Sequence, residues 1–172
     1  FIIGLFFSLV STSLIASDKL DTNNYFFFFK HLIYVLIGIF LIFIFSSLNS
    51  DQLYKYSIFL FFISLISLFL VPFVGVEVKG SKRWIDLFFL PRFQPIEVLK
   101  PFLIIILATI FCDIRSNILF KYLISIILIS VISLLLIAQP DIGQTLLVVF
   151  CWAALIFTSG INIYILLAIF IA

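Results

Sequence analysis

Long apolar runs, separated by short polar stretches, occupy almost the whole chain. A transmembrane helix needs about 20 mostly apolar residues, and it must satisfy its own backbone hydrogen bonds because lipid offers none. The runs predict seven spanning segments: residues 1–16, 31–48, 56–74, 94–112, 122–138, 143–159 and 161–172. The alternation typical of a β-barrel is missing from the sequence. We therefore expect an all-α fold, a polytopic transmembrane helix bundle.

Composition narrows the class of protein further. The 172 residues are 65% hydrophobic and include 24 Phe, whereas soluble globular proteins are about half apolar. A soluble chain of this size could not bury so much apolar surface, so we expect one integral membrane domain over residues 1–172. The sequence starts and stops inside apolar runs and contains no Met, which indicates a fragment incomplete at both ends. Cys112 and Cys151 have no disulfide or metal-binding spacing.

Charged residues are concentrated at residues 77–100, which hold five of the ten cations and three of the eight carboxylates. Here Lys79, Lys82 and Arg83 surround Gly80, whose backbone turns easily. Such a cluster suits the phosphates of a lipid head group, because Arg offers a planar fork of donors and Lys a point charge. The alternative is an ordinary interfacial loop whose cations pair with membrane phosphates.

The next motif, QPIEVLK, predicts the start of a helix that carries charge into the membrane. Trp84 and the apolar residues after it first indicate a segment at the membrane interface. Gln94 then precedes Pro95, which suits the first helical position. Glu97 is favoured in the first turn, and Lys100 lies three residues further on the same face. Ionisable residues at membrane depth indicate a functional polar site, and a structural ion pair is the alternative.

The motif QPDIGQT lies between the fifth and sixth apolar runs. Gln139 and Pro140 end one run, and Asp141 and Gly143 begin the next. Asp141 is predicted either to cap the following helix or to bind a cation or polar ligand near the membrane surface. The only histidine, His31, stands at a helix start and is expected to be an ordinary interfacial residue. The sequence contains no nucleotide-binding glycine loop, zinc-ligand spacing or Ser/His/Asp arrangement.

In this order and spacing, GSKRW, QPIEVLK and QPDIGQT resemble the SEDS family of bacterial membrane proteins, which includes FtsW, RodA and SpoVE. The resemblance covers the whole chain, and the GVEVKG and QT segments are more similar to the FtsW branch. It implies about ten transmembrane helices, of which this chain would hold about seven in the N-terminal half. It also implies a peptidoglycan glycosyltransferase that polymerises lipid II in the bacterial inner (plasma) membrane during cell division and cell-wall synthesis. The implied partners are a class B penicillin-binding protein and other divisome proteins, with no nucleic acid.

The motifs supply the candidate site residues. Those expected to bind the lipid-linked substrate are Lys79, Lys82, Arg83, Trp84, Gln94, Glu97, Lys100 and Asp141. The structural residues of the motifs are Gly80, Pro95, Gln139, Pro140 and Gly143. The cations of GSKRW would stabilise the departing pyrophosphate, and the base that deprotonates the acceptor hydroxyl is expected beyond residue 172. Ile96 stands where the family usually has Ser, and the metal requirement stays open between a divalent cation and none.

Two arguments about orientation disagree. Alternate loops carry seven and three of the ten Lys and Arg residues, and the positive-inside rule then places the loop of residues 75–93 in the cytoplasm. The resemblance implies that this loop is periplasmic. We follow the resemblance, because cations retained on the disfavoured side indicate an anionic ligand.

Three other functions remain open from the sequence. A helical bundle with paired internal charges also suits a lipid II flippase. A RodA-type polymerase for elongation and cell shape is the alternative within the family. A non-catalytic scaffold for division proteins is the third, and it would tolerate neutralisation of the loop charges.

Overall fold

The computed structural model of the protein describes residues 3–7, 26–78, 80–86, 92–113 and 117–160. The elements are helices α1 (Phe26–Ser46) and α2 (Ser50–Val74), strands β1 (Val76–Val78) and β2 (Ser81–Trp84), and helices α3 (Pro95–Cys112), α4 (Ile118–Ala138) and α5 (Ile142–Thr158). Residues 3–7 are helical as well.

Among the described residues, four helices are long and apolar enough to cross a membrane: Phe28–Ser46, Ser50–Val74, Pro95–Cys112 and Ile118–Ala138. Their mean hydropathies lie between 2.0 and 2.6, and the apolar helix α5 is shorter, at 17 residues. The predicted helical membrane bundle is therefore confirmed. The predicted first span beyond residues 3–7 and the whole of 161–172 fall outside the described residues, so the count of seven spans stays a prediction.

The helix starts differ from the predicted ones. Helices α1, α2 and α4 begin at Phe26, Ser50 and Ile118, whereas the sequence predicts starts at residues 31, 56 and 122. The extra turns contain Lys30, Lys55 and Lys121. A Lys side chain can lie along an apolar surface with its ammonium in water, so a helix continues through it to the membrane interface.

The chain divides into two compact units, Phe1–Ser50 and Asp51–Ala172. The first unit contains α1, which is apolar on all sides and has none of its spanning window buried. A single domain over residues 1–172 stays a prediction. The candidate site residues all belong to the second unit.

Helices α3, α4 and α5 contact one another in the second unit, and α3 has the most buried residues of the three. Its buried residues form two neighbouring stripes, namely Pro95, Ile96, Leu99, Phe102, Leu103, Ile106 and Leu107. Lipid supplies no hydrophobic force between helices, so close packing and interhelical hydrogen bonds hold them together. One such bond joins α4 to α5, where the buried Trp152 Nε1 donates to Ser125 Oγ at 3.2 Å. Ile96, the residue of QPIEVLK that departs from the resemblance, is fully buried, as suits an apolar side chain.

An antiparallel β-hairpin, which the sequence analysis did not predict, follows α2. Val78 pairs with Ser81 and Glu77 with Lys82, which leaves a two-residue loop at 79–80. Gly80 has a φ of 80°, in the left-handed region that glycine adopts without steric cost. After the hairpin, a bridge between Ile85 and Phe93 returns the chain to the start of α3. Lys82 and Arg83 of the cationic motif are therefore carried on the second strand of a β-hairpin.

Gly75 makes the tight junction between α2 and the hairpin. A Cβ built at this position would lie 2.4 Å from the Val71 carbonyl oxygen and 3.3 Å from the Trp84 carbonyl oxygen. Both are backbone atoms, so they cannot rotate away. Only glycine allows the hairpin to pack this closely against the end of α2.

We expect Gly75→Ala to displace the hairpin and destabilise the full-length protein by about 2 kcal/mol or more. The added methyl group would overlap backbone atoms, which cannot move aside as a side chain can. The measurement is the thermal unfolding of the purified protein in detergent. Gly38→Ala is the matched control, since Gly38 lies inside α1 with nothing within 4 Å of its added Cβ. An equal loss of stability in both variants would contradict the proposed close approach.

Candidate functional site

Polar side chains from four parts of the second unit meet at one end of its helices. Helices α2 and α4 end there, while α3 and α5 begin there, and the hairpin lies beside them. We call this group the polar cluster. Its members are Arg83, Gln94, Glu97, Lys100, Gln139, Asp141 and Gln144.

Asp141 is at the centre of the polar cluster and is only 6% exposed. It caps α5 by accepting a hydrogen bond from the Gln144 backbone N–H at 3.5 Å. Its other carboxylate oxygen accepts from Gln94 Nε2 at 2.8 Å. The guanidinium of Arg83 lies 3.6 Å away and supplies the opposite charge that a buried carboxylate needs. Asp141 is thus a helix cap and half of an ion pair at the same time.

Arg83 points inward from β2 toward the turn between α4 and α5. Its Nε donates to the Gln139 carbonyl at 3.3 Å, and its Nη2 donates to the Pro140 carbonyl. These carbonyls lie just after the end of α4, where the helix dipole is negative and a cation is favoured. The side chain is about one-third exposed, at 33%. Arg83 therefore clamps the hairpin to this turn, a contact that its motif did not predict.

Glu97, Lys100 and Gln144 form a second, more open part of the polar cluster. Lys100 Nζ lies 2.8 Å from Glu97 Oε2, the pair expected from their spacing of three residues. Lys100 also donates to Gln144 Oε1 at 3.0 Å, and Gln144 Nε2 donates to Glu97 Oε1 at 2.7 Å. The sequence analysis missed Gln144 as a site residue. Its position one turn after the cap Asp141, on a helix that starts beside α3, was the available signal.

The outer face of β2 carries a different pair of residues. The pairing of the two strands is irregular at Arg83, yet exposure still alternates along β2: Ser81 and Arg83 are half-buried, whereas Lys82 and Trp84 lie on the outer side, away from the turn that holds Arg83. Both are exposed, Trp84 to 37%. Lys82 faces Glu77 across the hairpin. Lys79 lies outside the described residues.

The remaining motif residues have structural positions. Pro95 is buried at the start of α3, and Gln139 is buried at the end of α4. Gly143 is exposed in the first turn of α5. Within the described ranges, no group of three or more His, Cys, Asp or Glu could hold a metal ion.

Two clefts in the second unit lie at the opposite ends of the helices, away from the polar cluster. One, of about 240 Å³, is lined by residues that include Tyr54, Asp113 and Lys121. The other, of about 140 Å³, is lined by residues that include Phe111 and Thr158. Neither cleft contains a residue that the motifs identified.

Comparison with known proteins gives consistent matches along the chain. The family model described as cell cycle protein, for FtsW, RodA and SpoVE, matches residues 1–172. A Haemophilus influenzae protein named probable peptidoglycan glycosyltransferase FtsW is 34% identical, and the match covers 95% of this chain and 43% of that protein. A Coxiella burnetii protein of the same name is 31% identical, with 91% and 43% covered.

Solved structures agree with these sequence matches. The crystal structure of the Thermus thermophilus rod shape determining protein RodA superimposes with a TM-score of 0.73 at 27% identity, covering 96% of this chain and 56% of RodA. A structure titled for polymerization and crosslinking by a peptidoglycan synthase complex has a TM-score of 0.67 at 27% identity, covering 91% and 47%. The chain therefore spans about half the length of the relatives it matches.

We expect the Arg83–Asp141 ion pair to contribute more to the free energy of unfolding than an exposed Arg–Asp pair does. Arg83→Leu leaves the buried carboxylate without its counter-charge and should cost about 1–3 kcal/mol of unfolding free energy. Arg92→Leu is the matched control, because Arg92 and Asp86 form a 2.9 Å pair with both side chains exposed, and it should cost about 0–1 kcal/mol. Denaturant unfolding of the full-length protein measures both.

A second substitution tests whether charge is the cause. Asp141→Asn removes the buried charge, so Arg83→Leu should be milder in that background than in the wild type. If Arg83→Leu and Arg92→Leu lose the same unfolding free energy, burial does not strengthen the Arg83–Asp141 pair.

Proposed function

The chain belongs to the FtsW/RodA/SpoVE family of cell cycle proteins, and on that premise we propose that the full-length protein is a peptidoglycan glycosyltransferase. It polymerises lipid II into glycan strands. Division, the FtsW role, is favoured over RodA-type elongation because the curated relatives with 31–34% identity are named FtsW. The observation that carries the proposal is the polar cluster beside the exposed cationic face of β2, at the end of a membrane bundle.

The protein is a multi-pass membrane protein, and we place it in the bacterial inner membrane with the hairpin on the periplasmic side. Lipid II carries its sugar on a diphosphate attached to a membrane-embedded chain. A site for it must therefore offer cations and polar groups just outside the apolar zone. The ends of α2 and α4 and the starts of α3 and α5 lie at such a boundary.

We propose that the outer face of the hairpin binds the diphosphate. Lys82 is a point charge directed away from the clamp, and Trp84 offers an amphipathic ring beside it. Lys79, by its place in the motif, would add a second cation. The N-termini of α3 and α5 also favour an anion nearby through their dipoles.

The polar cluster would hold the sugar end of the substrate and keep the hairpin in place. Lys100, Gln144 and the half-exposed Glu97 present donors and acceptors to a polar ligand. Arg83, Gln94 and Asp141 are largely satisfied by one another, so their contribution is to position the hairpin against α3 and α5.

In the reaction, the acceptor sugar hydroxyl forms a bond to the anomeric carbon of the donor as the bond to the diphosphate breaks. Negative charge develops on the departing diphosphate, and cations fixed beforehand at that place stabilise it. The hydroxyl proton goes to a general base, which we assign to no described residue. A divalent cation stays open as a further source of positive charge.

We also propose a class B penicillin-binding protein and other divisome proteins as partners. The matched structure of a peptidoglycan synthase complex supports an assembly of polymerase and crosslinking enzyme.

The test is glycan synthesis from lipid II by the purified full-length protein with its partner present. We expect Lys82→Gln to reduce the rate about 10- to 100-fold, the range for removing one electrostatic contact to developing charge. Lys55→Gln is the matched control, because Lys55 is an exposed Lys near the start of α2, at the opposite end of the helix. It should polymerise at the wild-type rate.

Two results would count against the proposal. One is the absence of glycan from the wild-type protein, and the other is an undiminished rate in Lys82→Gln. Fluorescent lipid II in liposomes distinguishes the flippase alternative, since movement between leaflets without polymer would favour transport.

A further inference from the structure

Helix α2 contains a proline in its last turn, and this proline leaves one backbone carbonyl without its usual partner. In an α-helix the N–H of residue i donates to the carbonyl of residue i−4, and Pro72 has no N–H. The carbonyl affected is therefore that of Leu68, which is completely buried. Water cannot reach a carbonyl buried in a membrane protein, so a carbonyl there that accepts no hydrogen bond lowers the stability of the fold.

The side chain of Gln139 supplies the missing hydrogen bond. Its Nε2 donates to the Leu68 carbonyl at 3.0 Å, and Gln139 itself is only 4% exposed. The two residues are 71 positions apart in the sequence. The bond therefore joins the last part of α2 to the end of α4.

The same residue also contacts the hairpin. The Gln139 backbone carbonyl accepts the hydrogen bond from Arg83 Nε at 3.3 Å. Its side chain thus holds α2 while its backbone holds Arg83. The segment from Leu68 to Arg83 contains the end of α2, Gly75 and the hairpin. Gln139 forms a hydrogen bond with each end of this segment.

We infer that Gln139 is a positioning residue whose side-chain amide replaces the hydrogen bond that Pro72 removes from α2. Through this bond it sets the position of the hairpin, and with it Lys82 and Trp84, relative to the polar cluster. Its amide is used inside the protein, so Gln139 acts through the hairpin and not by contact with substrate. The effect on activity rests on the proposed function, whereas the hydrogen bond itself does not.

A double-mutant cycle tests the inference in the full-length protein. Gln139→Leu should lower the thermal unfolding temperature by about 2–4 °C, because the Leu68 carbonyl is left unsatisfied. Pro72→Ala restores an N–H for that carbonyl within α2. In the Pro72→Ala background, Gln139→Leu should therefore lower the temperature by about 1 °C or less.

Pro101→Ala is the matched control for the rescue. Pro101 is the proline inside α3, and the backbone N–H that it lacks would have donated to the carbonyl of Glu97, four residues earlier in the same helix. Restoring an N–H there does nothing for Leu68, so Gln139→Leu and Pro101→Ala should have additive effects. Equal destabilisation by Gln139→Leu in the wild-type and Pro72→Ala backgrounds would overturn the inference.

Kinetics separates positioning from loss of folded protein. At a temperature where every variant is folded, Gln139→Leu should raise the KM for lipid II about tenfold, with a smaller change in kcat, and Pro72→Ala should restore KM. An unchanged KM with the unfolding cycle as expected would reduce Gln139 to a purely structural residue and overturn its positioning role. If the wild type makes no glycan, the proposed function fails while the unfolding cycle still decides whether the hydrogen bond exists.

Discussion

The arrangement of the polar cluster depends on one buried carboxylate. A charged group removed from water is stable only where donors and an opposite charge surround it, and Asp141 obtains these from three separate elements. Arg83 comes from the hairpin, Gln94 from the segment before α3, and the backbone N–H of Gln144 from α5. A helix cap thereby also fixes how these three parts of the chain meet.

This constraint divides the charged motif into two kinds of residue. The guanidinium of Arg83 pairs with Asp141 and donates to the carbonyls of the α4–α5 turn, so its role is to stabilise the fold. Lys82, its neighbour in sequence, faces away and is exposed. Two adjacent cations that the sequence does not distinguish therefore differ in environment, one in an ion pair and the other exposed to solvent. The same separation holds in QPIEVLK, where Gln94 faces the buried carboxylate and Glu97 is half exposed.

Local patterns in the sequence predicted what local physics determines. Apolar runs of sufficient length gave the helices, and a spacing of three residues gave the Glu97–Lys100 pair. An acidic residue before an apolar run gave the cap as one of the two alternatives for Asp141. The hairpin was missed because strands of three and four residues are too short for alternation to be recognised beside so much charge. Contacts between residues 47 or 71 positions apart were missed because they depend on how helices pack. Pro72 was a local sign that a carbonyl of α2 needed a donor from elsewhere in the chain.

The two-residue loop of the hairpin has an evolutionary consequence. Exposure alternates along β2, so adding or deleting a single residue between Gly80 and Arg83 would exchange the inward-facing and outward-facing residues of this strand. The Arg83 guanidinium would then point into solvent, and the Lys82 ammonium or the Trp84 indole would face Asp141 instead. Substitutions in the hairpin loop are thus far more tolerable than a change in its length. Selection should therefore remove insertions and deletions in this loop even where substitutions accumulate.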